Sequence, residues 1–350
     1  MSADRLRYLF FVTKPYSFAI FEPIYKYINN NNYGETAWFT ASTASDIIPS
    51  GKLLKTTEEV MTYNPDAVIV PGNIVPSYWP GIKVQIFHGM DDEVKGFYDI
   101  TGQFDLYCTH GRESTKGFKQ LANKYKYFVV KETGWSKLDP LFTEINSKQN
   151  SRKNLIKKIG LDSNKPILLF APTFPSKYTS AYELLAEITK LKDQYQWLVK
   201  FHTLMDKKIK SKYLALVGET FKIIDDDNIL PYFNISDVLI TDTSSVAYEF
   251  LPLDRPIITY RAIARKEKGI DIVEAKNLHG AITRSLLDPE EYSENRKFYL
   301  NDIHPYSDGK SSKRVFDAIN DSISEDIFSK LKPKPQNWLR NSKIKKMLQD

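Results

Sequence analysis

Cysteine is nearly absent: Cys108 is the only one in 350 residues. No internal disulfide can form, which fits a reducing compartment. No apolar run reaches 18 residues, so no bilayer-spanning helix is expected. The apolar stretch from Tyr8 to Val12 stops after five residues, before Lys14 and Pro15, and does not read as a secretory leader. The Gly-x-Gly-x-x-Gly and Gly-x-x-x-x-Gly-Lys-Ser/Thr patterns are missing, which excludes the usual dinucleotide fingerprint and the P-loop. No Gly-x-Ser-x-Gly elbow occurs either. Histidines number five, without the close His or Cys pairs of a zinc site, so no metal and no cofactor are expected. The run Asp225-Asp226-Asp227 reads as a solvated loop. Neither a solenoid repeat nor a low-complexity segment is present.

What is present is a globular composition, 42% hydrophobic and 26% charged, rich in Tyr and Phe. The length exceeds one ordinary core and predicts two domains. Apolar runs alternate with helix-length segments. Strands are expected at 8–12, 36–39, 67–70, 84–88, 106–109 and 128–130, then at 167–171, 197–201, 222–224, 238–241 and 257–259. Helices are expected at 18–30, 112–124, 179–192, 206–216 and 243–251. Continuous apolar strands interleaved with helices indicate parallel sheets covered on both faces. The pattern restarts after the polar stretch 146–154. The predicted fold is therefore α/β, with two Rossmann-like domains whose sheets face a central cleft. An N-terminal domain is expected over 1–148, a C-terminal one over 149–315, and a helix and basic tail over 316–350.

In such sheets ligands gather at the carboxyl ends of strands. Unusual residues fall there: His88-Gly89, Ala171-Pro-Thr173, Lys200-Phe-His202 and Thr241-Asp242. The segment 236–260 reads as strand, hydroxyl-rich turn, helix and strand, with Thr243, Ser244 and Ser245 at the helix start. Free amides and hydroxyls at a helix N-terminus suit a phosphate, although a simple N-cap uses the same residues. His88 and His202 close strands in different domains. A histidine titrates near neutrality, so it can take a proton from a hydroxyl or neutralise a phosphate. A structural strand-end histidine is the competing reading for each.

Taken in order, the segments Gln85-Ile-Phe-His88-Gly89, Gly134-Trp-Ser-Lys137-Leu-Asp139, Ile167 to Thr173, Lys200-Phe-His202, Ser236 to Ser245, Pro256 to Tyr260 and Asp308-Gly-Lys-Ser-Ser312 resemble the CDP-glycerol glycerophosphotransferases, the teichoic-acid primases and polymerases. The resemblance covers roughly 80–315. It implies the GT-B architecture with the nucleotide donor in the C-terminal domain. It also implies transfer of glycerol phosphate from CDP-glycerol to a hydroxyl of a lipid-linked saccharide or growing cell-surface polymer, with release of CMP. By position, His88 matches the catalytic base and His202 the histidine at the donor pyrophosphate. Gly89, Thr173, Thr241, Asp242, Ser244 and Ser245 match the substrate-binding turns. Lys177 is the nearest cation where an arginine is usual. Thr203, Thr243 and the basic stretch 261–266 also depart from the family pattern, so ribitol or another polyol remains open.

Two other readings share these residues. One is a GT-B glycosyltransferase or epimerase acting on a nucleotide sugar, with Glu249 as the sugar-contacting carboxylate. The other is a non-catalytic nucleotide- or saccharide-binding protein. Nucleic acid is not an expected partner. The net charge of +6 sits in residues 329–349, which carry seven cations and no acid. Ile344, Met347 and Leu348 share one helical side there, which predicts peripheral docking on an anionic membrane surface at the cytoplasmic face.

Overall fold

The computed structural model describes residues 5–41, 50–90, 96–143 and 148–349. The chain divides into two compact units. Unit 1 is Met1–Pro140 with Ile303–Asp350, and unit 2 is Leu141–Asp302.

Unit 1 holds the strands β1 (Arg7–Val12), β2 (Glu35–Thr40), β3 (Lys52–Leu54), β4 (Ala67–Val70), β5 (Ile82–Gln85), β6 (Leu106–Thr109) and β7 (Val129–Glu132). All pairs are parallel, in the order β3-β2-β1-β4-β5-β6-β7. The helices are α1 (Ser17–Asn30), α2 (Thr57–Tyr63), α3 (Arg112–Tyr125) and α4 (Asp139–Thr143), the last lying at the unit boundary. Every residue of β4 and β6 is buried, as their unbroken apolar runs require. On α1, Ile20, Phe21, Ile24 and Ile28 are buried and form the core-facing stripe.

Unit 2 repeats the plan with β8 (Ile167–Phe170), β9 (Gln196–Lys200), β10 (Phe221–Ile224), β11 (Val238–Thr241), β12 (Ile257–Tyr260) and β13 (Ile270–Ile272). Its order, β10-β9-β8-β11-β12-β13, is the doubly wound arrangement with a switch point between β8 and β11. Its helices are α5 (Lys148–Lys158), α6 (Leu185–Leu191), α7 (Lys207–Leu214), α8 (Leu230–Ile235), α9 (Val246–Phe250), α10 (Leu278–Leu287) and the boundary helix α11 (Ser293–Ile303). The polar stretch 146–154 lies partly outside the described residues, and the remainder begins α5.

The chain then returns to unit 1 as α12 (Ser311–Ser324) and α13 (Trp338–Gln349). The sequence placed boundaries near 148 and 315, whereas the division falls at 140 and 302. A buried carboxylate accounts for the return. Asp139 Oδ1 accepts the Ser311 N–H (2.9 Å), and Oδ2 accepts the Ser312 N–H (2.7 Å) and hydroxyl (2.6 Å). The acid thus caps α12, where the helix dipole favours a negative charge. The Tyr8 hydroxyl, from the first strand, donates to Asn320 Oδ1 at 2.9 Å.

The basic tail departs from the expectation. Ile344 is buried, and Met347 and Leu348 pack against the unit 1 core. The side expected to meet lipid is therefore taken up by protein. Lys334 pairs with Asp105 (2.7 Å), and Arg340 donates to Gln103 Oε1 (2.8 Å) and to the Asn73 carbonyl (2.6 Å). Lys334 and Arg340, cations of the tail, are thus spent on unit 1.

Candidate functional site

In unit 1, His88 follows β5 by three residues. The strand expected over 84–88 ends at Gln85, and Phe87 adopts a left-handed backbone with φ of 60°. For a bulky side chain this conformation costs about 1–2 kcal/mol. It turns the chain so that His88 leaves the sheet, exposed at the surface, with its ring 6.2 Å from that of Tyr16. The His88 ring hydrogen-bonds the Pro71 carbonyl, beyond β4. Loops after β1, β4 and β5 thereby meet at the unit 1 switch point. Although the ring reaches solvent, the crowded protein around it lowers the His88 pKa, more than the Pro71 bond raises it. A neutral imidazole at physiological pH is the form a base requires. Gly89 follows, half-buried.

Two further histidines lie behind it. His110 is fully buried and its pKa is pushed down to about 3, by burial first and then by His304. His304 is pushed down to about 4, chiefly by burial. Both are core groups, and His110 stacks edge-on to Phe87 (5.0 Å) and Trp135 (5.7 Å).

In unit 2, the segments after β8, β9 and β11 carry the expected donor residues. Asp242 is 1% exposed. Its Oδ1 accepts the Thr173 N–H (2.9 Å), and its Oδ2 accepts the Ser180 N–H (2.8 Å) and hydroxyl (2.7 Å). Burial raises its pKa to about 6, against the lowering effect of these bonds. The Thr241 hydroxyl donates to the Ala171 carbonyl at 2.7 Å. Thr241 and Asp242 therefore face inward and shape the loop that carries Thr173. Thr173, Ser244 and Ser245 are half-buried and Lys177 is exposed, its ammonium 5.3 Å from the Tyr178 ring centroid.

His202 stacks on Phe174 at 4.4 Å, and its Nδ1 accepts the Leu204 N–H at 3.1 Å. That bond fixes the tautomer: the neutral ring carries its proton on Nε2, the nitrogen able to donate to an anion. The helix expected over 243–251 is shorter. It runs only Val246–Phe250, and the Ser244 Oγ accepts the Val246 N–H at 3.4 Å. So short a helix has a weak dipole, and any anion at this turn would depend on the hydroxyls and turn amides. Glu249 lies in α9, 3% exposed, so its carboxylate is buried.

Sequence reasoning assigned no role to Ser180, Pro71 or Trp135. Pro71 leaves no signal, because its contact is through the backbone carbonyl, and Ser180 leaves none because the carboxylate that takes its N–H and hydroxyl lies 62 residues on. Asp139 with Ser311 and Ser312 had a signal, two motifs far apart whose partnership only the fold reveals. The Trp135 indole N–H donates to the Phe87 carbonyl at 3.2 Å, which satisfies the group displaced by the left-handed turn.

The profile of the CDP-glycerol:poly(glycerophosphate) glycerophosphotransferases matches residues 81–321. The chain is 27% identical over 252 residues to a teichoic acid glycerol-phosphate primase of Bacillus subtilis (strain 168), an alignment that spans 66% of this chain and 61% of the relative. It is 28% identical over 178 residues to a teichoic acid poly(glycerol phosphate) polymerase of Bacillus spizizenii, spanning 47% of this chain and 43% of that one. It thus covers less than two thirds of the length of these relatives. Among solved structures, the wall teichoic acid polymerase TagF superposes with a TM-score of 0.71 at 19% identity, over 91% of this chain and 89% of that one. A UDP-GlcNAc 2-epimerase from Neisseria meningitidis superposes with a TM-score of 0.64 at 14% identity, over 90% of this chain and 100% of that one, which marks the GT-B type of fold. With more than half of its length matched, the chain belongs to the CDP-glycerol:poly(glycerophosphate) glycerophosphotransferase family.

Proposed function

We propose that this protein transfers a polyol phosphate, glycerol phosphate from CDP-glycerol in the simplest case, to a hydroxyl of a lipid-linked saccharide or cell-surface polymer. The observation that carries the reading is the family match over 81–321, which runs through both the His88-Gly89 turn and the Ser244-Ser245 loop. His88 takes the proton of the acceptor hydroxyl. The hydroxyl oxygen attacks the phosphorus that bears the polyol. The bond from that phosphorus to the bridging oxygen breaks, and CMP leaves with that oxygen. Ser244, Ser245, Thr173 and the Nε2–H of His202 hold the pyrophosphate, and Lys177 adds positive charge. In phosphoryl transfer most of the catalysis is positioning and charge stabilisation, which such groups provide.

The reading extends to peripheral work at the cytoplasmic face of the membrane. Among the described residues no helix is long and apolar enough to cross a membrane. Trp338 and Leu339, at the start of α13, are 75% and 84% exposed, and Lys343, Lys345 and Lys346 are exposed further along it. Aromatic and cationic side chains together suit an anionic lipid surface.

The test is incubation of the full chain with CDP-glycerol, CDP-ribitol and UDP-sugars, each with a lipid-linked saccharide acceptor, followed by identification of the released nucleotide. Release of CMP with a new phosphodiester supports the proposal and names the polyol. Release of UDP with a new glycoside would replace it with glycosyl transfer. No release from any donor would leave a binding protein.

A further inference from the structure

We propose that Trp135 is a positioning residue for His88: its indole N–H fixes the Phe87 carbonyl, and with it the left-handed turn that presents the His88 ring. The inference rests on the reading of His88 as the base. Phe87 is the one bulky aromatic among the non-glycine residues with positive φ in the described chain. It stands immediately before His88. A left-handed residue after a strand turns its carbonyl away from the ladder, and a buried carbonyl without a donor is disfavoured. Trp135 supplies that donor at 3.2 Å and is itself 1% exposed.

The surroundings leave the pair little freedom. The Phe87 ring stacks on Phe97 (5.1 Å) and meets Phe118 (5.1 Å) and His110 (5.0 Å) edge-on. On the other side, Gly134 has φ of 77°, and a Cβ there would collide with Ser311 Oγ and lie 3.1 Å from His304 Nε2. The glycine lets the chain press against the start of α12 and carry Trp135 beneath Phe87. The short turn Ser136–Leu138 then leads to Asp139, which caps α12. The turn before His88 is thus tied through one indole hydrogen bond to the clasp that joins α12 to unit 1. Lys137 stands 5.1 Å from the Trp135 ring centroid. The titratable groups that the described residues place near His88 are Tyr16 and His110.

The decisive variant replaces Trp135 with β-(3-benzothienyl)alanine, which keeps the shape and removes only the N–H. Trp135→Phe is its genetic counterpart. Two readouts are taken on the full chain: the NMR titration of the His88 ring in histidine-labelled protein, and kcat and KM with CDP-glycerol. The expected result is a kcat lowered on the order of tenfold, with donor KM changed by no more than about twofold. The His88 titration should move up toward the ordinary histidine value as the ring swings away from the protein packed around it. Ile28→Val, a core change on α1, serves as the control for general destabilisation and should move neither. An unchanged His88 titration and kcat in the isosteric variant would overturn the proposal, as would an equal shift in the Ile28→Val control. If the native protein turns over none of the donors, the proposed function falls, while the NMR comparison still decides whether Trp135 positions His88.

Discussion

Replacing Asp242 with Asn changes charge without changing shape, and the geometry gives its cost. The carboxylate accepts three hydrogen bonds, one from Thr173 and two from Ser180. An amide has one acceptor oxygen. Its better orientation keeps the Ser180 pair and sets its NH2 group against the Thr173 N–H. One charge-assisted bond is lost, about 1.5–3 kcal/mol, and a buried donor is left unsatisfied, about 1–3 kcal/mol more. Against this, burial raises the native carboxyl to about 6, so holding it ionised has a cost that Asn escapes. The sign follows from linkage. A raised folded pKa means that the stability Asp242 contributes is complete below the unfolded value near 4 and is lost as pH rises through about 6. The stability gap between native protein and Asp242→Asn should therefore be about 1.4 kcal/mol wider at pH 5 than at pH 8. Urea unfolding at the two pH values measures the gap. Hydrogen exchange of the peptide 171–182 reads the same loop locally, and the variant should exchange faster there. Thr173 would shift with the loop, so donor binding should weaken as well. An equal gap at both pH values, with native exchange of 171–182, would refute the reasoning.

His88→Ala should lower turnover about a hundredfold or more while donor binding stays near native; native turnover in the folded variant removes His88 from the mechanism. Ser245→Ala and His202→Ala should weaken binding of CDP-glycerol more than binding of CMP, which lacks the second phosphate, and calorimetry showing equal losses would contradict a role in reading the diphosphate. His110 and His304 have pKa values depressed to about 3 and 4, so the unfolded state takes up protons first as pH falls below about 6.5. Unit 1 should then lose stability between about pH 6.5 and 4, by up to about 1.4 kcal/mol per pH unit for each histidine, with Asp139, raised by burial, working in the opposite direction. Hydrogen exchange in unit 1 that stays flat across this range would count against it. The double change Trp338→Ala and Leu339→Ala should reduce sedimentation with anionic vesicles at low salt and spare turnover of a soluble acceptor, whereas unchanged sedimentation would remove the outer side of α13 from membrane attachment.

Much of the architecture was legible because buried parallel strands write themselves as unbroken apolar runs; β8 and β11 are examples. β3 and β13 were not. Each has a single neighbour at a sheet edge and needs no continuous run, and of β3 only Leu54 is buried. The spacing of Ile344, Met347 and Leu348 correctly marked a helix with one buried side. Periodicity records that a side is covered, not what covers it, so lipid was expected where the unit 1 core lies. Asp242 and Thr241 were recognisable as strand-end residues, but their orientation depends on the Ser180 N–H and hydroxyl and on the Ala171 carbonyl, partners 62 and 70 residues away that only the fold brings to them. Nothing in the letters around Phe87 announces a left-handed residue, because the constraint comes from an indole 48 residues away.

The return of residues 303–350 to unit 1 also has a consequence for synthesis. Unit 2 is one uninterrupted stretch, Leu141–Asp302, and can close its core as soon as that stretch has left the ribosome. Unit 1 cannot. Its strands are made before unit 2, yet the serines that take up Asp139 and the side chains that cover its core from α13 are made after it. At about 5–20 residues per second, translation leaves the first sheet waiting for roughly 2–10 s after residue 302 has been added. During that interval its apolar surface is the chain's main exposure to aggregation. A ribosome stalled or terminated after residue 302 would release a finished second unit attached to an unfinished first one.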